Sequence, residues 1–203
     1  FDPQMSAGLV GHYLSAIAGG SLYRESSFLC DSLGQPLFPD WFTLGEKPRE
    51  VGGMSSAAFD NDGVATRDNV YFADGKVQSY MLSAYSARRL NMQTTGNAGG
   101  ARNVRITAPL TSLDEMLKQM GTGVLVTELM GQGVNGVTGD YSRGASGFWV
   151  ENGEIQHAVE EFTIAGNLRD MFKQIVAVGN DLELRSNIRT GSVLIERMTV
   201  AGS

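Results

Sequence analysis

The sequence predicts an α+β protein: a large antiparallel sheet or barrel-like β sandwich with about three packed helices. Three observations support this prediction. Two segments alternate apolar and polar residues around a turn dipeptide, three segments show helical periodicity with capping residues, and 26 glycines are spread along the 203 residues. Strands joined by tight turns pair in antiparallel fashion, and their combination with helices is typical of α+β folds.

The first element is a helix predicted within residues 2–20. Asp2 is a suitable N-cap, and Pro3 fits the first helical position because its missing N–H would have no partner there. Gly19 and Gly20 favour a stop. The apolar residues that recur at helical spacing are Met5, Leu9, Val10, Tyr13, Leu14 and Ile17.

Residues 34–57 predict a long irregular segment with no more than one short strand. They contain Pro36, Pro39 and Pro48 and show little periodicity. A segment of this length is uncommon in a compact domain unless it packs on itself or on a partner. We therefore expect one of these two arrangements.

Two hairpins are predicted at Asp74-Gly75 and Asn152-Gly153. Both dipeptides favour the positive φ angles of a type I′ turn, and alternating residues flank each of them. The segments that predict further strands are 103–109, 123–130, 182–188 and 192–200.

Residues 112–121 and 167–179 predict the remaining two helices. Ser112 and Glu115 have the spacing of a capping box, and Asn167 is a suitable N-cap for the second of these helices. Each segment ends on glycine, which favours termination.

Charge and composition exclude several classes of function. The net charge is −6 with scattered Lys and Arg, which argues against a nucleic-acid-binding surface. No apolar run approaches the ~20 residues of a membrane helix. The single cysteine, Cys30, excludes an internal disulfide framework and fits a reducing compartment. We interpret Cys30 as a small buried apolar residue.

His12 raises the question of a metal site. A zinc-binding helix needs a second ligand within reach on the same face. The residues three and four positions away are Gly8, Leu9, Ser15 and Ala16, and none of them is a plausible ligand. Taken alone, His12 is interpreted as an ordinary helix residue.

His157 is the other histidine of the chain, so a site assembled across the fold stays open. Ser146 has Gly144 two positions before it but Phe148 two positions after it, which departs from the nucleophile-elbow pattern. A stand-alone hydrolase built on Ser146 and His157 is kept as an alternative function.

The glycine-rich segment 94–103 is a candidate binding loop. It does not sit between a strand and a helix, and no Gly-Lys-Ser follows it, so a phosphate-binding loop is not indicated. The simplest interpretation is a mobile loop, and such a loop can become ordered on a partner or a peptide. The candidate contact residues are Thr95, Gly96, Asn97, Gly99 and Arg102.

Several motifs together resemble the C-terminal domain of the TldD/PmbA peptidase family. The resemblance covers essentially the whole chain, and its specificity comes from separate motifs that occur in one order. These motifs are GLVGHYLSAIAGG, FDNDGVATRDNVYFADGKVQSYML, ARRLNMQTTGNAGG, FWVENGEIQHAVEEFTIAGNLRDMFKQIVAVGNDLEL and LIERMTVAG.

The resemblance implies a cytoplasmic, heterodimeric zinc metallopeptidase that processes unfolded or modified peptides. In this family a TldD-like catalytic subunit carries a His-Glu-x-x-x-His helix and a cysteine ligand near its C-terminus. The family's full chain also has an N-terminal α/β domain. We therefore expect residues 1–203 to be the C-terminal domain of a longer protein.

Carried over onto this sequence, the resemblance implies a degenerate metal site. The first His of the motif falls on Ala7, its Glu falls on Gly8, and its second His falls on His12. The cysteine-bearing segment falls between Leu184 and Ser192, where this chain has no Cys. The expectation is no catalytic residue and no metal in this chain, with His12 as a lone remnant and zinc in the TldD-like partner.

The expected role is that of a non-catalytic subunit. Segments 94–103 and 34–57 are expected to contact the partner or the peptide, and backbone hydrogen bonds at a sheet edge would hold an unfolded peptide. Without its partner, the exposed sheet face is expected to allow homodimers. A purely structural scaffold subunit is the other alternative, and no nucleic acid or membrane is expected as a partner.

Overall fold

The structure is a computed structural model that describes residues 1–202, and it has the predicted α+β fold. Within those residues there are five helices, two more than expected. None of them combines the length and the apolar character needed to cross a bilayer. The helices are Pro3–Ala16 (α1), Gly19–Leu22 (α2), Ala84–Arg89 (α3), Leu113–Met120 (α4) and Leu168–Lys173 (α5).

The strands described in residues 1–202 form three sheets, and none of these closes into a barrel. The strands are Thr43–Glu46 (β1), Asn69–Ala73 (β2), Lys76–Val77 (β3), Val104–Thr107 (β4), Leu110–Thr111 (β5), Gly123–Met130 (β6), Asp140–Glu151 (β7), Glu154–Asn167 (β8), Ile175–Gly179 (β9), Ile188–Arg189 (β10), Val193–Ile195 (β11) and Thr199–Ala201 (β12).

The largest antiparallel unit is a four-stranded sheet in the order β12-β8-β7-β6. The long hairpin of β7 and β8 forms its centre, so β6 and β12 are its edges. The other two sheets have the orders β10-β4-β1-β2-β3 and β11-β9-β5, and each includes one parallel pair, β10 with β4 and β5 with β9.

Both predicted hairpin turns are confirmed. The φ angles are 52° at Asp74 and 73° at Gly75, and 55° at Asn152 and 77° at Gly153. Positive φ at both central residues is what a type I′ turn requires. The sequence dipeptides therefore fix the register of the two hairpins.

The helix predicted over 167–179 is correct only in its first half. Asn167 caps α5 through a hydrogen bond from Arg169 N to its Oδ1 (3.1 Å), but the helix ends at Lys173. Residues Ile175–Gly179 form β9 between β11 and β5. β-Branched residues favour a strand where neighbouring strands are available to pair with them.

Three other boundaries also differ from the prediction. The first helix ends at Ala16, and a separate short helix, α2, follows it. Of the strand predicted over 182–188, only Ile188 lies in a strand. The segment 192–200 divides into β11 and β12, which belong to different sheets.

The irregular segment 34–57 packs into the core. Phe38 is 7% exposed, and its ring lies 4.7 Å from Phe42, 4.8 Å from Phe172 and 5.2 Å from Tyr13, centroid to centroid. These rings come from the irregular segment, α5 and α1. The cluster therefore joins distant parts of the chain and fixes the orientation of α1.

Candidate functional site

Helix α1 holds His12 at the border between core and surface. Asp2 Oδ1 accepts a hydrogen bond from Met5 N at 2.8 Å, which starts the helix as predicted. Tyr13 is fully buried, and its hydroxyl donates to the Tyr71 carbonyl oxygen (3.1 Å). Because the buried side of α1 is fixed in this way, the adjacent His12 side chain is held half-buried beside it.

The solvent-facing side of α1 near His12 has small side chains or none. Gly8 is exposed, and a Cβ placed on Gly8 or Gly11 would meet no atom within 4 Å beyond the neighbouring backbone of the helix itself. Ser15 continues this exposed face. The helix backbone next to His12 is therefore accessible to a ligand or a partner.

A cavity of about 210 Å³ adjoins His12. We call it the His12 cavity. Its polar lining consists of His12, Ser15, Ser21, Gln132 and Arg143. Its larger apolar side chains are Phe28, Val134 and Leu168, and Ala16, Gly131 and Gly136 complete the lining. The cavity thus combines an apolar wall with a few convergent polar groups, as small-molecule sites commonly do.

Arg143 gives the His12 cavity its charge. Its Nη2 donates to the Leu129 carbonyl oxygen at 3.3 Å and its Nε to the Met130 carbonyl oxygen at 3.4 Å. Partial burial, and then the nearby Arg143 charge, lower the pKa of His12 below 6.5. The His12 ring also lies edge-on to Tyr141, with 6.1 Å between centroids. These surroundings favour the neutral imidazole.

The segment between Leu184 and Ser192, on which the resemblance places the partner's cysteine ligand, lies beside the start of α1. Strand β10 packs against α1, and residues 181–185 share a shallow depression with residues 2–4. Next to this segment, Glu183 accepts hydrogen bonds from Arg185 Nε (3.0 Å) and Nη2 (2.8 Å), which lower the pKa of that carboxyl to about 2. Asp181 accepts hydrogen bonds from the Ser192 backbone N (2.8 Å) and Ser192 Oγ (2.6 Å).

These residues do not fit a zinc ion. Zinc sites use three or four Cys, His or carboxylate ligands. Among residues 1–202 no group of three or more His, Cys, Asp or Glu side chains is arranged to hold a metal ion. The charged neighbour of His12 is the guanidinium of Arg143, which would repel a cation.

The predicted loop 94–103 is anchored to a buried carboxylate. Glu46 is 3% exposed. Its Oε1 accepts hydrogen bonds from Asn69 Nδ2 and Asn97 Nδ2, both at 2.7 Å, and its Oε2 accepts from Arg102 N at 2.6 Å. The loop is therefore tied to β1 and β2, which the glycine-rich sequence did not indicate.

The other candidate residues of this loop are placed in different surroundings. The Thr95 hydroxyl donates to Asn97 Oδ1 at 2.7 Å. Gly96 is buried against the Ala65 carbonyl oxygen, whereas Gly99 is exposed. The structure thus brings Thr95, Asn97 and Arg102 together around Glu46, and their role in binding stays a prediction.

Ser146 and His157 lie apart on the central hairpin. His157 pairs with Trp149, three residues along β7 from Ser146. At ~3.3 Å per residue this is a separation of about 10 Å along the strand, too far for a hydrogen bond. The arrangement does not favour a serine nucleophile activated by this histidine.

Sequence analysis did not identify Arg143 or Tyr141 as neighbours of His12. Both residues lie on β7, and they reach α1 only through the folding of the four-stranded sheet against that helix. The alternation of β7 predicts a strand, but no local pattern indicates which face meets His12.

Comparison with known proteins identifies one family along this chain. The family described as the PmbA/TldA metallopeptidase C-terminal domain matches residues 1–202. A protein named metalloprotease PmbA from Escherichia coli is 55% identical over 202 residues, which is all of this chain and 45% of that protein. The chain thus spans about half the length of this relative.

Solved structures of similar proteins also match this chain over nearly its whole length. A Bacteroides thetaiotaomicron protein, solved as a candidate modulator of DNA gyrase, matches with a TM-score of 0.93 and 32% identity over 100% of this chain and 46% of that one. TldE from Thermococcus kodakarensis matches with a TM-score of 0.83 and 26% identity over 97% of this chain and 48% of that one.

Proposed function

The chain belongs to the PmbA/TldA metallopeptidase C-terminal domain family, and we propose that it is part of the non-catalytic subunit of a heterodimeric metallopeptidase. The proposed substrates are unfolded or modified peptides, and the zinc is assigned to a TldD-like partner. Relatives that are named metalloproteases support the general class of this activity.

The observation that carries the proposal is the set of residues that α1 has at the positions of the metal-binding motif. The positions that the family motif gives to His and Glu are Ala7 and Gly8, and His12 faces Arg143 rather than a second ligand. A hydrolytic zinc site also needs a group that activates water, and this helix face offers no carboxylate. These features support a role in which the chain binds the peptide or shapes the substrate chamber, while the partner hydrolyses the peptide bond.

The four-stranded sheet offers a means of holding an unfolded peptide. In the part of the chain that the structure describes, its edge strands, β6 and β12, each pair with a single neighbouring strand. A peptide added along an edge is held through main-chain hydrogen bonds, which suits substrates without a fixed sequence. Strand β6 ends at Met130, and the next residues, Gly131 and Gln132, line the His12 cavity.

The exposed part of loop 94–103 is proposed as a contact with the partner or the peptide. Gly99 is exposed, and the Arg102 side chain is half-buried beside it, donating to the carbonyl oxygens of Gly100 and Ala98. The anchored loop would present a preformed surface, which lowers the entropic cost of association.

Reconstitution of the enzyme tests the proposed function. The purified protein is assayed alone and after mixing with a family member whose first helix carries His-Glu-x-x-x-His, with elemental zinc analysis of each preparation and a fluorogenic unfolded peptide as substrate. We expect substoichiometric zinc and no cleavage by the protein alone, and cleavage that saturates at equimolar partner in the mixture.

A His12→Ala variant is the matched control. It should leave the lack of zinc in the isolated protein unchanged. Cleavage by the protein alone, lost in this variant together with one bound zinc per chain, would overturn the proposal.

A further inference from the structure

The His12 cavity has a positive charge and no negative one. Among residues 1–202, Arg143 is the sole charged residue of its lining, and neither Asp nor Glu contributes to it. The chain as a whole has a net charge of −6, so acidic side chains are plentiful elsewhere. The absence of an acidic residue from this lining leaves the guanidinium available to an external anion.

Arg143 is incompletely partnered in the described structure. Within residues 1–202 the ion pairs involve Arg105, Arg185 and Arg189, and none includes Arg143. Its hydrogen bonds to the Leu129 and Met130 carbonyl oxygens use two of the five N–H groups of a guanidinium, and its other neighbour, Tyr141, carries no charge. A half-buried cation without a counter-ion is costly, and a carboxylate that accepts two parallel hydrogen bonds would offset that cost.

Tyr141 is a buried polar residue that contacts His12 and Arg143 from outside the cavity lining. The side chain is 1% exposed, and the polar group nearest to its hydroxyl is the Arg143 guanidinium, although the two do not form a hydrogen bond of good geometry. Burial raises the pKa of this hydroxyl to about 12, and the charge and the side-chain N–H groups of nearby Arg143 oppose the rise. Tyr141 therefore remains neutral beside Arg143 and supplies no negative charge to balance the guanidinium.

We propose that the His12 cavity binds a carboxylate, with Arg143 as its main ligand and with His12, Ser15 and Gln132 as flanking polar groups. In this chain a fixed guanidinium thus lies beside the one histidine that the degenerate motif retains. Carboxylate binding itself does not depend on the proposed peptidase role. Only the identification of the ligand as the C-terminal carboxylate of a peptide rests on that proposed function.

The two histidines of the sequence provide a direct measurement. The purified protein is titrated with acetyl-Ala-Ala, with its C-terminal amide, and with acetyl-Asp-Ala-amide, while NMR follows the imidazole resonances. Because a bound carboxylate neutralises Arg143, the His12 signals should shift in a saturable way and the pKa of His12 should rise toward 6.5. The signals of His157, exposed on β8, should not shift, and a His157→Gln variant assigns the two sets.

Each ligand distinguishes one source of the carboxylate. A response to acetyl-Ala-Ala alone supports a C-terminal carboxylate and therefore a peptide end. A response to both acids, but not to the uncharged amide, supports binding of carboxylates in general and leaves the peptidase role to the reconstitution experiment. No response to either acid, or an equal response to the amide, overturns the proposal.

Two variants separate binding from general charge effects. Arg143→Gln keeps hydrogen-bonding ability but removes the charge, and it should weaken carboxylate binding about tenfold or more. Arg88→Gln makes the same charge change on the exposed surface of α3 and should bind as the wild type does. Binding that is equal in both variants, with unchanged circular dichroism, would also contradict the proposal.

Discussion

Arg143 shows how one side chain can change the protonation of another, here that of His12. A histidine on a helix is neutral or charged near pH 7 according to what faces it. Here partial burial and the Arg143 guanidinium both act against the imidazolium form. The imidazole is thereby kept as a neutral hydrogen-bonding group, and the positive charge of the site is carried by an arginine that does not lose its proton.

Stability should depend on pH through His12. The pKa of His12 lies below 6.5 in the folded chain, so the unfolded chain binds this proton more tightly and unfolding is favoured as the pH falls through 6.5. We expect the urea midpoint to drop between about pH 8 and about pH 5.5. In a His12→Gln variant this drop should be smaller. An identical drop in wild type and His12→Gln would contradict this assignment.

At the scale of elements, the two hairpins have the same turn chemistry but different neighbours. Gly75 and Gly153 both adopt the positive φ of a type I′ turn. A Cβ on Gly75 would lie 3.7 Å from Asp40 Cα, an ordinary contact. A Cβ on Gly153 would lie 2.9 Å from Lys118 Cα, so the second turn is pressed against α4. The turn at Gly153 therefore determines both a hairpin and how closely α4 approaches it.

Alanine at the two turn glycines should separate these two roles. Gly75→Ala incurs only the strain of positive φ, about 1 kcal/mol of the free energy of unfolding. Gly153→Ala incurs the same strain and also displaces the backbone of α4, so we expect a loss larger by about 1–2 kcal/mol. Urea denaturation of both variants measures the difference. Equal losses in the two variants would show that α4 can move away from the added methyl group at no cost in stability, and would contradict this prediction.

At the scale of the whole molecule, aromatic rings join parts of the chain that do not share a sheet. Phe38 contacts Tyr13 of α1, Phe72 of β2 and Phe172 of α5, with ring centroids 4.6 to 5.2 Å apart. The segment that carries Phe38 has no regular structure of its own except β1. Its order comes from burying these rings, as expected for a long irregular segment in a compact domain.

Removal of the central ring should therefore weaken the entire fold. Phe38→Ala leaves a cavity among four aromatic neighbours, and we expect a loss of about 3–5 kcal/mol in the free energy of unfolding. Phe148→Ala, at a position 37% exposed, is the matched control and should lose much less. Denaturation followed by both far- and near-ultraviolet circular dichroism tests this, and a mild Phe38→Ala effect would contradict a shared core.

The features that the sequence determined by itself are those decided between close neighbours along the chain. Asp2 capping α1, the Ser112 and Glu115 capping box of α4, and the two type I′ turns were all predicted, because each depends on residues a few positions apart. The α+β class followed from the same local patterns.

Only the tertiary structure decided the features that depend on pairing between distant segments. Ile175–Gly179 became a strand because β11 and β5 flank it, and 182–188 stayed largely irregular since only its end pairs with β4. Likewise, Arg143 reaches His12, and Glu46 collects Asn69, Asn97 and Arg102, through contacts that no local pattern encodes. The burial of a charge or a strand is set by what the completed fold places against it, and for that reason the site's electrostatics could not be predicted from the sequence.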